Sequence, residues 1–200
     1  MKKSLYFLAG FSLFGASSTI INFDTAPLGR TPPGWSASPQ WEILRDQSAP
    51  TQPYVLAPKP VDPSGNRNPL AILNSVTFSD GEMSVRIKPV NGTESCGLVW
   101  RYRDEGNYYL ARANPQQGTV SVYKVQNGQS TPLLPDVRRD IPSNSWSIMK
   151  VTARGNRFQV YMDHRRILQA WDSTFRGGKV GLWSAADAVT YFDDFRVYPR

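Results

Sequence analysis

The 200-residue chain predicts an all-β fold, two antiparallel sheets pressed into a sandwich. Three observations predict it. Apolar residues recur at every second position along one segment after another, the period of a strand half-buried in a sheet. Turn signals separate these segments at intervals of about 8–12 residues, the spacing of a sandwich or barrel. Six Trp, nine Tyr and nine Phe supply the aromatic side chains that pleated surfaces favour. No segment carries the pattern of an ordinary helix, and no internal repeat is present.

The chain begins with the features of a secretory leader. Met1, Lys2 and Lys3 give a positive start, Leu5 to Ala16 is apolar, and Ala16, Ser17 and Ser18 are small residues suited to cleavage. The apolar run is shorter than the roughly 20 residues that span a bilayer, so residues 1–18 are expected to be removed. The mature chain is then expected in the periplasm or outside the cell, away from the membrane.

Residues 19–69 form an N-terminal region of strands and loops. Asn22 to Asp24 is a candidate first strand. Ten prolines lie between positions 27 and 69. Proline cannot donate to a ladder, which confines strands here to short edge pieces at Trp41 to Leu44 and Tyr54 to Leu56. Trp35, Trp41 and Tyr54 would lie exposed in a disordered linker, so these loops are expected to pack on the sandwich.

Residues 70–200 form the main body. Strands are expected at 71–78, 82–89, 97–103, 107–113, 119–126, 131–134, 146–153, 157–163, 167–171, 179–184 and 190–198. Ser79-Asp80-Gly81, Asn91-Gly92, Asp104-Glu105-Gly106, Asn127-Gly128, Gly155-Asn156 and Gly177-Gly178 mark turns, because these residues tolerate tight-hairpin conformations. Alternation also assigns faces. Met83, Val85 and Ile87 point inward against Glu82, Ser84, Arg86 and Lys88. Phe158, Val160 and Met162 oppose Arg157, Gln159 and Tyr161, and Met149 and Val151 oppose Ile148 and Lys150. Leu98, Trp100 and Tyr102 alternate with Val99, Arg101 and Arg103, so both faces of that strand carry bulky groups. The last two strands, joined by Ala185 to Ala188, read as a closing hairpin.

Charge and cysteine content narrow the function. The net charge of +7 comes from scattered residues and short pairs such as Arg138-Arg139, with no basic tract or nucleic-acid motif. A mildly basic surface can still attract acidic polysaccharide. Cys96 is the single cysteine, which excludes a disulfide framework within one chain. Stability must come from the core, and a monomer without redox or organic cofactor is expected.

The stretch from Gly97 to Asn114 reads Gly-Leu-Val-Trp-Arg-Tyr-Arg-Asp-Glu-Gly-Asn-Tyr-Tyr-Leu-Ala-Arg-Ala-Asn. Together with Gly-Lys-Val-Gly-Leu-Trp-Ser-Ala-Ala-Asp at 178–187 and Phe-Asp-Asp-Phe at 192–195, it resembles secreted bacterial laminin G-like domains of the concanavalin A-like jelly-roll superfamily. These are related to the 3-keto-disaccharide hydrolase domain and, more distantly, to family 16 glycoside hydrolases. The resemblance covers about residues 33–198. It implies a two-sheet jelly roll with a concave face that often meets carbohydrate. One fold hosts many functions, so the activity must be argued from the site.

Retaining glycosidases need two carboxyl groups about 5–5.5 Å apart. Family 16 enzymes supply such carboxylates from one strand, in the motif Glu-x-Asp-x-x-Glu. Glu42, Glu82, Glu94 and Glu105 are the glutamates of this chain, and none is followed by Asp two positions on. No catalytic motif of the 3-keto-disaccharide hydrolases can be matched either. Cys96 and His164 lack any surrounding motif for a nucleophile and base.

The candidate ligand surface consists of Arg101, Tyr109, Arg112, Tyr123 and Trp183. Aromatic faces stack on sugar rings, and Arg donates paired hydrogen bonds to hydroxyls or carboxylates. The same residues could instead serve the core and rim, and Tyr109 and Arg112 cannot share one face of a regular strand. In family 16 relatives an Asp on the final strand helps hold a structural calcium. The resemblance places Asp194 there, beside Asp193 and with Asp24 in the neighbourhood. The other reading is an ion pair with Arg196.

The expectation is therefore a non-catalytic, lectin-like module for polysaccharide or oligosaccharide. A hydrolase of the 3-keto-disaccharide type is the alternative, and a structural or protein-interaction domain of the cell envelope is the third reading.

Overall fold

The structure, a computed structural model, describes residues 17–37, 41–59, 69–90, 95–186 and 188–200. The leader expected at 1–18 lies almost wholly outside the described residues, as do the Asn91-Gly92 turn and most of the loop after Lys59.

In chain order the strands are β1 (Thr19–Ile21), β2 (Trp35–Ala37), β3 (Trp41–Arg45), β4 (Tyr54–Pro58), β5 (Leu70–Phe78) and β6 (Gly81–Pro89). They continue with β7 (Cys96–Asp104), β8 (Asn107–Asn114), β9 (Thr119–Gln126), β10 (Gln129–Pro132) and β11 (Val137–Arg138). The last are β12 (Ser147–Arg154), β13 (Arg157–Met162), β14 (Arg165–Trp171), β15 (Gly178–Ser184) and β16 (Thr190–Pro199). No helix occurs among the described residues. The first sheet runs β14-β13-β12-β6-β16-β4-β3, with β1 also on β16. The second runs β10-β9-β8-β7-β15-β5-β2, with β11 also on β9. Neighbours pair antiparallel throughout.

The alternating patterns explain the sandwich. In β6 every second residue from Gly81 to Pro89 is buried, so Met83, Val85 and Ile87 enter the core while Ser84, Arg86 and Lys88 face outward. The facing sheet contributes Leu98, Trp100, Tyr109, Ala111, Val120 and Val122. Trp100 stacks on Tyr109 at 5.5 Å and meets Phe158 edge-on at 5.2 Å, which locks the two layers together. The N-terminal region joins both sheets. Trp35 and Trp41 are buried, as expected of loops packed on the sandwich, and Trp35 meets Phe195 edge-on at 5.4 Å.

Several expectations need correction. β15 and β16 do not form a hairpin. β15 lies between β7 and β5 in the second sheet, and β16 lies beside β6 and β4 in the first. The link between them crosses the sandwich edge, held by the Ala185 N–H to the Ser95 carbonyl at 2.8 Å and the Val90 N–H to the Val189 carbonyl at 2.8 Å. Alternation shows that both segments are strands but carries no information about which strand pairs with which.

The first strand is Thr19–Ile21, ahead of the expected 22–24, because Phe23 adopts φ 64° and turns the chain into the core. β4 is interior to its sheet, not an edge; its proline, Pro58, stands at the last position. In β7 the register shifts after Trp100, where Arg101 has φ 50°. That bulge breaks the expected alternation and moves Tyr102 to the outer face beside Tyr108, with ring centroids 6.0 Å apart.

Candidate functional site

The outer face of the second sheet carries a second apolar layer, separate from the sandwich core. Ile72, Val99, Tyr108, Leu110, Val125 and Trp183 form its buried part, with Leu70, Tyr102 and Tyr123 packed against it. Cross-strand register sets the rows. Leu70, Trp183, Gly97, Arg112 and Ser121 lie opposite one another across β5, β15, β7, β8 and β9. Ile72, Gly181, Val99, Leu110 and Tyr123 form the next row.

The two glycines are required by close packing. A Cβ on Gly97 would collide with the Ala111 carbonyl and stand 2.9 Å from Leu110 Cδ1; one on Gly181 would stand 2.7 Å from Ile72 Cδ1. Bare backbone at Gly97 separates Trp183 from Arg112.

At one side of this layer a polar group reaches solvent. The Arg112 guanidinium lies 4.7 Å from the Tyr123 ring centroid, and its side chain is 24 % exposed. Arg112 Nη2 stands 3.7 Å from Asp136 Oδ2, and the Ser121 hydroxyl donates to Asp136 Oδ1 at 2.6 Å. Arg112 Nε has no hydrogen-bond partner among the described residues. Chemically this is a planar cation stacked on a phenol, with a carboxylate acceptor beside it and an apolar floor behind.

Three of the five residues expected on a ligand face therefore share one: Arg112, Tyr123 and Trp183. Trp183 is 6 % exposed and belongs to the apolar layer. Arg101 and Tyr109 are elsewhere. Arg101 is 2 % exposed and enters the end of the sandwich. It donates to the carbonyls of Ser79, Phe175 and Gly155 at 2.7–2.9 Å and to Asp80 at 3.1 Å. Burial lowers its pKa.

Tyr109 is fully buried; its hydroxyl donates to Asp172 at 2.5 Å and accepts from the Phe175 N–H at 3.0 Å. Burial, reinforced by the bond to Asp172, raises the phenol to about 12. These two residues are structural because the bulge and the strand phase turn both inward. Tyr102, Tyr108, Ser121 and Asp136 were not expected on the face. The bulge hid the first, and Asp136 comes from a loop with no alternation to orient it.

Asp172 makes a pH prediction. Burial pushes its carboxyl up, but hydrogen bonds from Tyr109, Thr174 and Lys124 win and bring it from 3.8 to about 2. A carboxyl depressed in the folded state adds stability above its unfolded value, and that contribution disappears as pH falls through the folded value. Asp172→Asn is expected to cost about 1–2 kcal/mol at neutral pH. Urea melts at a series of pH values should show the difference from the parent chain closing as pH approaches 2.

Of the three aspartates of the calcium expectation, Asp24 and Asp193 lie near each other and Asp194 turns away. Asp193 is buried and accepts from the Thr51 N–H and hydroxyl, each at 2.7 Å. Burial raises its pKa, and the nearby Asp24 adds to the rise. Asp24 accepts from the Tyr54 N–H at 3.3 Å. Asp194 sits at a bulge with φ 50° and turns away, to Arg196 at 2.7 and 2.9 Å and Arg86 at 3.4 Å. Among the described residues no three His, Cys, Asp or Glu side chains gather in one place. With Asp194 committed to arginines, the melting temperature should be equal in EDTA and in millimolar calcium. A rise of several degrees in calcium would return Asp24 and Asp193 to a metal role.

Cys96 is buried in β7, with its thiol raised to about 12 by burial, while His164 occupies the β13–β14 turn of the other sheet.

No family model matches the chain. Over 126 residues, 62 % of the chain, it is 34 % identical to a levanase from Bacillus subtilis (strain 168), and it spans only 18 % of that protein's length. Among solved structures, carbohydrate-binding module CBM66 from Bacillus subtilis is similar with a TM-score of 0.67 at 23 % identity, over 82 % of this chain and 95 % of that one. A Bacillus subtilis protein of unknown function with a galectin-like fold has a TM-score of 0.59 at 16 % identity, over 83 % and 90 % of the two chains. A GH43 protein from Bacillus licheniformis has a TM-score of 0.57 at 15 % identity, over 90 % of this chain and 39 % of its own.

The fold is the two-sheet antiparallel jelly roll. The finer assignment to laminin G-like or 3-keto-disaccharide hydrolase domains is not carried by these likenesses.

Proposed function

We propose that the chain is a secreted, non-catalytic carbohydrate-binding module that holds polysaccharide on the outer face of its second sheet. Arg112 and Tyr123 make the contact, Asp136 orients Arg112, and the apolar layer around Trp183 supports them. The observation that carries this reading is the pairing of two similarities. The solved module that this chain resembles is a carbohydrate-binding module, covered over 95 % of its length. The levanase shares only 18 % of its length with this chain, the size of a module within a larger protein. Both come from Bacillus subtilis, and both names concern polysaccharide.

The residues favour binding over hydrolysis. Glycoside hydrolysis places a pair of carboxyl groups about the scissile bond. The carboxylate in contact with Arg112 is Asp136, already bound to Ser121 and close to the guanidinium cation. The leader-like segment and the extracellular character of polysaccharide support secretion.

Isothermal titration of the chain with levan, inulin, xylan and β-glucan tests the proposal, with levan first because of the relative's name. Saturable binding to at least one glycan, without release of reducing sugar, is expected. Sugar release would make the chain a hydrolase, and absence of any binding would leave an envelope-interaction role.

A further inference from the structure

The other sheet carries a pocket of its own. A pocket of about 320 Å³ opens on the outer face of the first sheet, lined by residues of β6, β12 and β16 and by His164 of the β13–β14 turn. Its size lies at the lower end of small-ligand sites. Ser84 is the floor. Register puts Lys150 on one side of it and Arg196 on the other, so the two cations stand roughly 10 Å apart at their backbones across a small side chain. Arg86, two residues along β6, closes a third side. The Ser84 hydroxyl has no hydrogen-bond partner among the described residues.

The pocket lining carries more cations than carboxylates. Three cations, Arg86, Lys150 and Arg196, meet two carboxylates, Glu82 and Asp194. Asp194 holds Arg196 through two nitrogens, at 2.7 and 2.9 Å, and the bulge at φ 50° aims its carboxylate between the two arginines. Arg86 meets Asp194 through Nε alone, at 3.4 Å. Its two terminal nitrogens form a fork with no partner among the described residues, the shape that takes a carboxylate in two parallel hydrogen bonds. Lys150 bonds Glu82 at 3.0 Å and lies 4.5 Å from the Tyr161 ring centroid, which fixes its ammonium at the rim. Tyr198 is 38 % exposed at the same rim.

We infer that this pocket binds the carboxylate of an acidic sugar, a uronate unit of an anionic polysaccharide. It is a second saccharide site on the sheet opposite Arg112 and independent of it. The uronate carboxylate lies over Ser84 between the Arg86 fork and Lys150, and its ring lies toward Tyr198.

The test is titration of the full chain with oligogalacturonate at low and raised salt, beside its methyl ester and inorganic sulfate. Oligogalacturonate should bind and the neutral ester should not. Affinity should fall with salt, since the cations are partly exposed. Lys150→Gln and Arg86→Gln should each weaken binding about tenfold, the scale of one charge-assisted hydrogen bond. Arg112→Ala should leave it unchanged. Lys150→Gln keeps Asp194 paired with both arginines, so it decides the matter if Arg86→Gln fails to fold. Equal binding of the ester, no binding of oligogalacturonate, or loss on Arg112→Ala would overturn the inference. So would sulfate competing as well as the oligomer, which would reduce the pocket to a simple anion site. A chain that binds a neutral glycan but no uronate would keep the proposed function and lose this site alone.

Discussion

Arg101→Ala lowers the stability of the chain by about 3–5 kcal/mol. The side chain is among the largest fully buried groups, and its guanidinium gathers three carbonyls from the turns at Ser79, Gly155 and Phe175. Those turns belong to different parts of the chain, so one residue ties together the end of the sandwich. Truncation leaves the carbonyls without a donor, and each unsatisfied buried group costs about 1–3 kcal/mol. Asp80 is 43 % exposed and can be rehydrated, so it adds little. Arg101→Lys should recover only part of the loss, because one ammonium cannot reach the same set of acceptors. Differential scanning calorimetry should record a fall in melting temperature of roughly 10 °C for the alanine variant. A fall of less than two degrees would mean that the turns are held by other contacts.

Arg112→Ala and Tyr123→Ala are expected to abolish most of the proposed glycan binding without a comparable loss of stability. Each should weaken affinity about 10- to 100-fold, the range of anchoring aromatic and Arg residues at a binding face. Arg112 stacks on Tyr123 at 4.7 Å, so the two act as one surface and the double variant should lose less than the sum of the single losses. Both are partly exposed, which keeps the folding cost small. Trp183 is different: it is 6 % exposed inside the apolar layer, so a loss of binding in Trp183→Ala counts only if the variant remains folded. Affinity electrophoresis in glycan-containing gels, with melting curves alongside, separates the cases. Full binding by Arg112→Ala would move the ligand off this face.

Much of the fold was legible because alternation is a local signal. β6, β12 and β13 follow a strict period of two, and their inward residues could be named from the sequence. Partnership is not local. Nothing in the segments from Gly178 to Pro199 distinguishes a hairpin from two strands that cross between sheets. Bulges break the signal outright. The one at Arg101 reverses the phase of β7, buries a cation and turns Tyr102 to the outer face; the one at Asp194 sends adjacent aspartates to different partners. Arg112 and Tyr123 fall on one face because β8 and β9 pair in unbroken register. Arg101 and Tyr109 were misplaced because their partners are carbonyls and a carboxylate from distant turns.

The proposed resting place of glycan is the second sheet beside Arg112 and Tyr123. Backbone amide shift mapping by NMR, with a neutral glycan that the chain binds, tests it most directly. Shifts concentrated in β8, β9 and β15, around Arg112, Ser121, Tyr123 and Trp183, are the predicted result. Shifts confined to the outer face of the first sheet, or to the loops at the sandwich ends, would contradict it.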